Sequence, residues 1–184
     1  DNSLLIIKVL INIDAMSESL AKELKTLATL LKGCPILIGQ RTGTKYLEDD
    51  VVYDRFGVQT ITSQTLTNHL LEGIPLEVYA APGGLYVNLD REKLVKFRQE
   101  QNISLGSFAR SLKVSRRTVQ MYEEGMNARV DVAYKIEELL DDAITTPIDI
   151  FKKKKDIKIT LRYRQNVDDF ERLQREIFSI LQQV

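Results

Sequence analysis

Residues 109–125 read ARSLKVSRRTVQMYEEG. Leu112, Val114, Val119 and Tyr122 are spaced to fall inward from two short helices, and Ser115 stands just ahead of two arginines. Serine is a preferred N-cap because its hydroxyl oxygen accepts from an amide two or three residues on. The stretch therefore predicts a helix, a tight turn and a second helix that begins at Ser115. Helices that cross sharply need a small residue where they touch, which Ala109 supplies. Their turn needs a residue that accepts left-handed geometry. Lys113 occupies that slot in place of a glycine, at a cost of about 1 kcal/mol or more. Phe108 completes the inward face and Ser104 caps the first helix, leaving Arg116, Arg117 and Gln120 on the outer face of the second.

The charge pattern around this stretch is uneven. The chain of 184 residues has 26 Lys and Arg against 26 Asp and Glu, so its net charge is zero. Residues 91–125 nonetheless hold eight basic against four acidic residues, and residues 143–184 nine against six. Residues 1–90 hold seven against eleven, and residues 126–142 two against five. A local basic field attracts phosphate whatever the total. Arginine suits paired hydrogen bonds to guanine O6 and N7, and glutamine suits adenine N6 and N7. Ser115 and Thr118, with the free amides of a helix start, suit phosphate oxygens. The expected partner is double-stranded DNA, with helix 115–123 in the major groove and helix 104–113 crossing the backbone. Ser104, Arg110, Lys113, Ser115, Arg116, Arg117, Thr118 and Gln120 are the expected contacts, with Lys96 a further phosphate neutraliser. One such module reads few base pairs, so a homodimer on a near-palindrome is expected. The competing reading is a solvated helix face with no nucleic acid.

Upstream, residues 1–89 alternate between strand and helix signals. Leu4–Ile13 is an apolar run broken by Lys8 and Asn12, which predicts a strand covered on both faces. Leu20, Leu24, Leu27, Ala28 and Leu31 recur at helical spacing before Lys32-Gly33 and Pro35. PILIG at 35–39 predicts a second buried strand, and 51–56 with 58–61 a tight strand pair around Gly57. Thr62 or Ser63 caps a helix that ends at Glu72-Gly73, and strands 77–80 and 85–89 flank Ala81-Pro82-Gly83-Gly84. Residues 1–89 are thus a small α/β domain with a mixed sheet, suited to dimerisation or sensing. Residues 90–147 are a helical domain with helices at 90–101, 104–113, 115–123 and 129–142. Residues 148–184 comprise a basic linker with Lys152–Lys155, a short alternating strand (Ile157, Ile159, Leu161, Tyr163) and an amphipathic helix (Phe170, Leu173, Ile177, Ile180, Val184). The start at Asp1 and the end inside that helix read as those of a fragment or processed chain.

Residues 94–140 resemble the helix-turn-helix of the Cro and phage-repressor superfamily. The likeness rests on Ser104, Ala109, Val114-Ser115-Arg116, Thr118-Val119 and Tyr122-Glu123-x-Gly125. The glutamine that often begins the second helix of those repressors and buttresses the phosphate backbone is Leu105 here. The same frame occurs in adaptors of the multiprotein bridging type, which act through protein contacts, so a coactivator that touches the basal transcription machinery stays open. The wider order resembles an archaeal family of helix-turn-helix transcriptional regulators. That likeness includes Leu5–Leu10 with Asn12-Ile13-Asp14, Gly39-Gln40-Arg41-Thr42, Tyr86–Asp90 and Pro147-Ile148-Asp149. It implies an α+β protein: an N-terminal domain like the restriction-endonuclease fold joined to an all-α helix-turn-helix domain. It also implies a transcription regulator of the cytoplasm, whose relatives extend beyond both ends of this chain.

Endonuclease-like folds hold Mg²⁺ with an acid followed by a carboxylate–x–lysine triplet. The triplet ending at Lys8 is Ile6-Ile7-Lys8, so the carboxylate is missing and no enzyme activity, metal or cofactor is expected. His69 is the one histidine, and Glu48-Asp49-Asp50 reads as a solvated acidic loop. Gly39, Gly43, Gly83 and Gly84 do not form a phosphate-binding fingerprint. Cys34, the single cysteine, excludes an internal disulfide or a zinc cluster and favours a reducing interior. No apolar run nears the roughly 20 residues needed to cross a bilayer, so no membrane partner is expected.

Overall fold

The computed structural model describes residues 4–151. The expected features at 152–155, 157–163 and 170–184 lie outside those residues. β1 (Leu5–Asn12) leads through a short 3-10 turn (Ile13–Ala15) to α1 (Glu18–Leu30). The Ser17 hydroxyl caps α1 by accepting from the Leu20 amide at 3.1 Å. β2 (Cys34–Thr42) runs parallel to β1, with Leu5 opposite Cys34 and Val9 opposite Ile38. β3 (Lys45–Tyr46) folds back on the end of β2. β4 (Val51–Arg55) and β5 (Val58–Ile61) form the expected tight antiparallel pair, turned by Phe56 and Gly57 at φ 52° and 77°. Two successive positive φ values match the right-handed twist of the strands they join.

Thr62 is the cap of α2 (Ser63–Leu71), accepting from the Thr65 amide at 3.0 Å. β6 (Val78–Ala81) pairs parallel with β4 and forms a hairpin with β7 (Gly84–Leu89). α3 (Arg91–Glu100), α4 (Leu105–Leu112), α5 (Arg116–Glu123) and α6 (Val130–Leu140) follow, close to their expected bounds. The sheet runs in the order β1-β2-β5-β4-β6-β7, and its far margin is closed from the helical block. There β8 (Ala128–Arg129) and β9 (Thr145–Thr146) both pair with β7. These bridges add strand to a domain expected to be purely helical.

The core divides in three. Leu10, Leu37 and Val58 meet Leu20 and Leu24 of α1 on one face of the sheet. Ile36, Ile38, Val52 and Ile61 meet Leu66 of α2 on the other, joined by Ile148, Ile150 and Phe151. Residues 148–151, expected to open a linker, thus return to the α/β core. The Ile148 amide donates to Leu76 O at 2.6 Å, and Phe151 stacks on His69 with ring centroids 5.6 Å apart. His69 has a packing role there, with Nδ1 2.7 Å from Ile74 O. The third cluster holds the helices together around Leu94, Phe108, Leu112, Val119 and Ile136.

A further expectation is overturned. β1 is a marginal strand, and its burial alternates instead of being complete. Ile7, Val9 and Ile11 remain 46%, 66% and 67% exposed. α1 covers only one face of β1, and neither α2 nor residues 148–151 bury the other row.

Candidate nucleic-acid interface

α4 and α5 are each eight residues long, and each is started by a serine. Ser104 Oγ accepts from the Ser107 amide at 3.1 Å, and Ser115 Oγ from the Thr118 amide at 3.0 Å. Between them Lys113 adopts the left-handed conformation expected of the turn, at φ 58° and ψ 39°. Its amide and that of Val114 return to Arg110 O and Ala109 O, at 3.2 and 3.0 Å. These bonds satisfy carbonyls that the end of α4 leaves open and fix the crossing of the two helices. Phe108, Ala109, Leu112, Val119 and Tyr122 are all buried, as the spacing predicts. Burial raises the Tyr122 phenol pKa, with a further push from Asp131, so the ring stays neutral. Leu105, in the place of the repressors' glutamine, packs against this core and presents no polar group there.

The second helix is held at its far end as well. Arg98 Nε donates to Glu123 Oε1 at 2.5 Å and Nη2 to Oε2 at 3.0 Å, a paired contact from α3 to the end of α5. Both side chains are largely buried, at 17% and 14% exposure. Arg98 Nη1 also donates to Ile103 O at 3.2 Å, tying in the loop before α4. The hydrogen bond to Glu123 raises the Arg98 pKa above its ordinary value against the opposing effect of burial. This clamp was not legible as a pair: Glu123 stood out only as part of the Tyr-Glu-x-Gly exit, and Arg98 lies 25 residues away.

With one face buried and both ends held, α5 turns Arg116, Arg117, Gln120, Met121 and Glu124 to solvent. Neither Arg116 nor Arg117 has an ion pair or side-chain hydrogen bond among the described residues. The remaining expected contacts are partly engaged. Thr118 Oγ1 lies 2.8 Å from Ser115 Oγ, and Gln120 Nε2 donates to Glu124 Oε1 at 2.9 Å. Arg110 Nη2 donates to Ser107 Oγ at 3.2 Å, and Lys96 pairs loosely with Glu100 at 3.8 Å. Ser115 through Gln120 thus share one helix, with Arg110 and Lys113 beside its start. Ser104 stands at the opposite end of α4, about 12 Å along its axis. Met121 and Glu124 share this exposed surface outside the expected set, and Met121 departs visibly from the inward spacing of Val119 and Tyr122.

In the α/β domain the ends of β1 and β2 clasp each other. The Asp14 carboxylate accepts from the Gly43 amide at 2.7 Å and from Thr42 Oγ1 at 3.1 Å. A Cβ on Gly39 would lie 2.2 Å from Ile13 Cγ2, so the close approach of these strands requires glycine. The stretches 12–14 and 39–42 that stood out in the sequence are this one joint. Lys8 sits on β1 with Ile6 two residues before it and so lacks the carboxylate partner of a hard-metal site. Among the described residues no three His, Cys, Asp or Glu side chains are grouped to hold a metal ion. Among the described residues no helix is long and apolar enough to cross a membrane.

Residues 1–76 match the family described as PD-(D/E)XK superfamily domain, and residues 94–141 the family described as Helix-turn-helix. A protein of Methanocella arvoryzae is 47% identical over 148 residues, 80% of this chain and 46% of that protein. One of Methanococcoides burtonii is 47% identical over 152 residues, 82% of this chain and 47% of its own length. One of Halobacterium salinarum is 42% identical over 159 residues, 86% and 50% respectively. All three carry the name "Putative HTH-type transcriptional regulatory protein". The chain spans about half the length of the curated relatives it matches. No solved structure matches it.

Proposed function

We propose a function from one premise: over the residues it spans, the chain belongs to this archaeal family of HTH-type transcriptional regulatory proteins. It is a sequence-specific, double-stranded DNA-binding regulator that reads the major groove with α5. The observation that carries this reading is the pair Arg116 and Arg117, without a partner among the described residues, on the exposed first turn of a helix fixed at both ends. Arg116 and Arg117 address guanine edges. Gln120 addresses adenine after releasing Glu124, and Met121 offers apolar surface for a thymine methyl. Ser115, Thr118 and the first amides of α5 meet phosphate oxygens, as does Ser104 at the start of α4. Arg110, Lys113 and Lys96 neutralise neighbouring phosphates.

The division of labour we favour is dimerisation or sensing by residues 1–89, DNA binding by residues 90–147, and a C-terminal segment from 148 onward whose first residues, 148–151, pack on the α/β core. A homodimer would set two copies of α5 on successive half-sites. The protein works in the cytoplasm, where DNA and the basal transcription machinery are available to it. It acts without cleaving DNA, a reading supported by the missing carboxylate beside Lys8.

The test is selection from random duplex DNA with the full chain. An enriched motif whose binding weakens steeply with salt supports the regulator. Absence of enrichment, with capture of a general transcription factor, would instead make it a coactivator. Cleavage of duplex or branched DNA in Mg²⁺ or Mn²⁺ would overturn the non-enzymatic reading.

A further inference from the structure

The two margins of the sheet are treated differently. β7 is closed by β8 and β9, whereas among the described residues nothing pairs with the outer side of β1. Leu4 O accepts from the Cys34 amide, so the alternation of a parallel ladder turns the N–H and C=O groups of Leu5, Ile7, Val9 and Ile11 away from β2. An edge of eight residues with one charge and no proline lacks the usual protections against pairing. Its side chains are unprotected as well. Ile7, Val9 and Ile11 stand open on one face, where Val9 and Ile11 help line a groove of 430 Å³ that reaches the start of α2. On the other face Leu27, Leu30 and Leu31, at the end of α1, are 46%, 59% and 51% exposed.

The described chain stops close to this margin. Phe151 O accepts from Cys34 Sγ at 2.9 Å, and Cys34 is the register partner of Leu5. Residue 151 therefore lies one strand in from the margin, at the end where β1 begins. The next strand position is about 10 Å away, two inter-strand spacings. Residues 152–156 can reach roughly 17 Å when extended, so residue 157 can be delivered beside Leu5. From there IKITLRY, residues 157–163, alternates apolar with polar side chains over seven residues against the eight of β1. Beyond Asp168, apolar residues at 170, 173, 177, 180 and 184 recur at helical spacing.

We propose that the open margin of β1 is the docking surface for this chain's own residues 157–184. Residues 157–163 pair with the free edge in the direction of β1, and the apolar stripe of 170–184 covers Ile7, Val9 and Ile11. A second copy is the weaker occupant. Antiparallel pairing of two β1 strands about a two-fold axis sets the leucine-rich end of one α1 beside the other's Glu18, Ser19, Lys22 and Glu23, leaving the leucines unmatched.

The test is residue-resolved amide exchange on the full chain and on I159D/L161D, at two concentrations, with mass from light scattering. The outward amides of Ile7, Val9 and Ile11 should exchange at least about tenfold more slowly in the parent, to the same extent at both concentrations whatever the oligomeric mass. The amides of Leu112 and Val119 should match in the two proteins, showing that the helices remain folded. Equal exchange of the β1 amides in both proteins would overturn the proposal. So would protection that appears only in a concentration-dependent dimer, which would assign the margin to a second copy. A variant altered on the sheet side, Val9→Asp, should expose Lys158 and Arg162 to trypsin, and unchanged cleavage there would overturn the proposal equally.

Discussion

The helical block and the α/β domain hold their cations in different ways. In the α/β domain three basic side chains, Lys25, Arg41 and Arg55, are engaged by the domain itself. Lys25 Nζ donates to Phe56 O at 2.7 Å, Arg41 donates to Gly43 O, and Arg55 sits 3.5 Å from Asp14 and 4.7 Å from the centre of the Phe56 ring. The helical block separates two populations. Arg98 and Lys93 are engaged, with Glu123 and with Asp142 and Ala143 O, and they hold helices together. Arg116 and Arg117 are left outward on α5. Arg116 and Arg117 thus place two adjacent guanidinium groups, unengaged among the described residues, on one helix, where a polyanion finds charge that folding has not already used.

Removing an engaged cation should damage the fold, and the largest effect is expected at Arg98. Arg98→Ala strands the Glu123 carboxylate in a largely buried site and should cost about 3 kcal/mol in chemical denaturation. The pair R98M/E123L should recover most of that loss, since apolar replacement of both partners removes the uncompensated charge. Arg55→Ala should cost about 1 kcal/mol, because its pair with Asp14 is partly solvated and its stacking on Phe56 is weak. Affinity for a selected DNA site should be unchanged in that variant, which sharpens the contrast between the domains.

Lys113→Gly tests the turn. Relief of the left-handed lysine should stabilise the protein by about 0.5–1 kcal/mol. If Lys113 also meets phosphate, the log–log salt slope of DNA binding should become shallower by about one.

The smallest effect concerns Asp142. The hydrogen bond from Lys93, and its charge, hold this carboxyl below its ordinary value of 3.8. A depressed folded-state pKa adds stability that is present above that ordinary value and is lost as pH falls through the lower one. Asp142→Asn should therefore melt slightly below the parent at about pH 6 and converge with it below about pH 3, as thermal scans across that range will show.

The helix-turn-helix was legible because its rules are local. A cap, a small contact residue and apolar spacing all fall within 25 residues, and the structure retains each of them. Features set by distant partners were not. The bridges at 128–129 and 145–146 are two residues long, too short for any alternation to declare them, and exist because β7 offers an edge. The apolar run of β1 has the composition of a strand covered on both sides, and its exposure depends on what stands beside it. Arg98 and Glu123 gave no sign of meeting because a pair across 25 residues has no periodic signature. The Asp14 joint was visible only as two separate stretches, and register alone made them one.

The central claim is that Arg117, on the outer turn of α5, reads a base. Selection from random duplex DNA, run in parallel on the parent and on Arg117→Ala, tests it most directly. The account predicts a defined motif for the parent and the same motif with one base position relaxed for the variant, with about 1–3 kcal/mol of specific affinity lost. Identical motifs and affinities in the two proteins would contradict it.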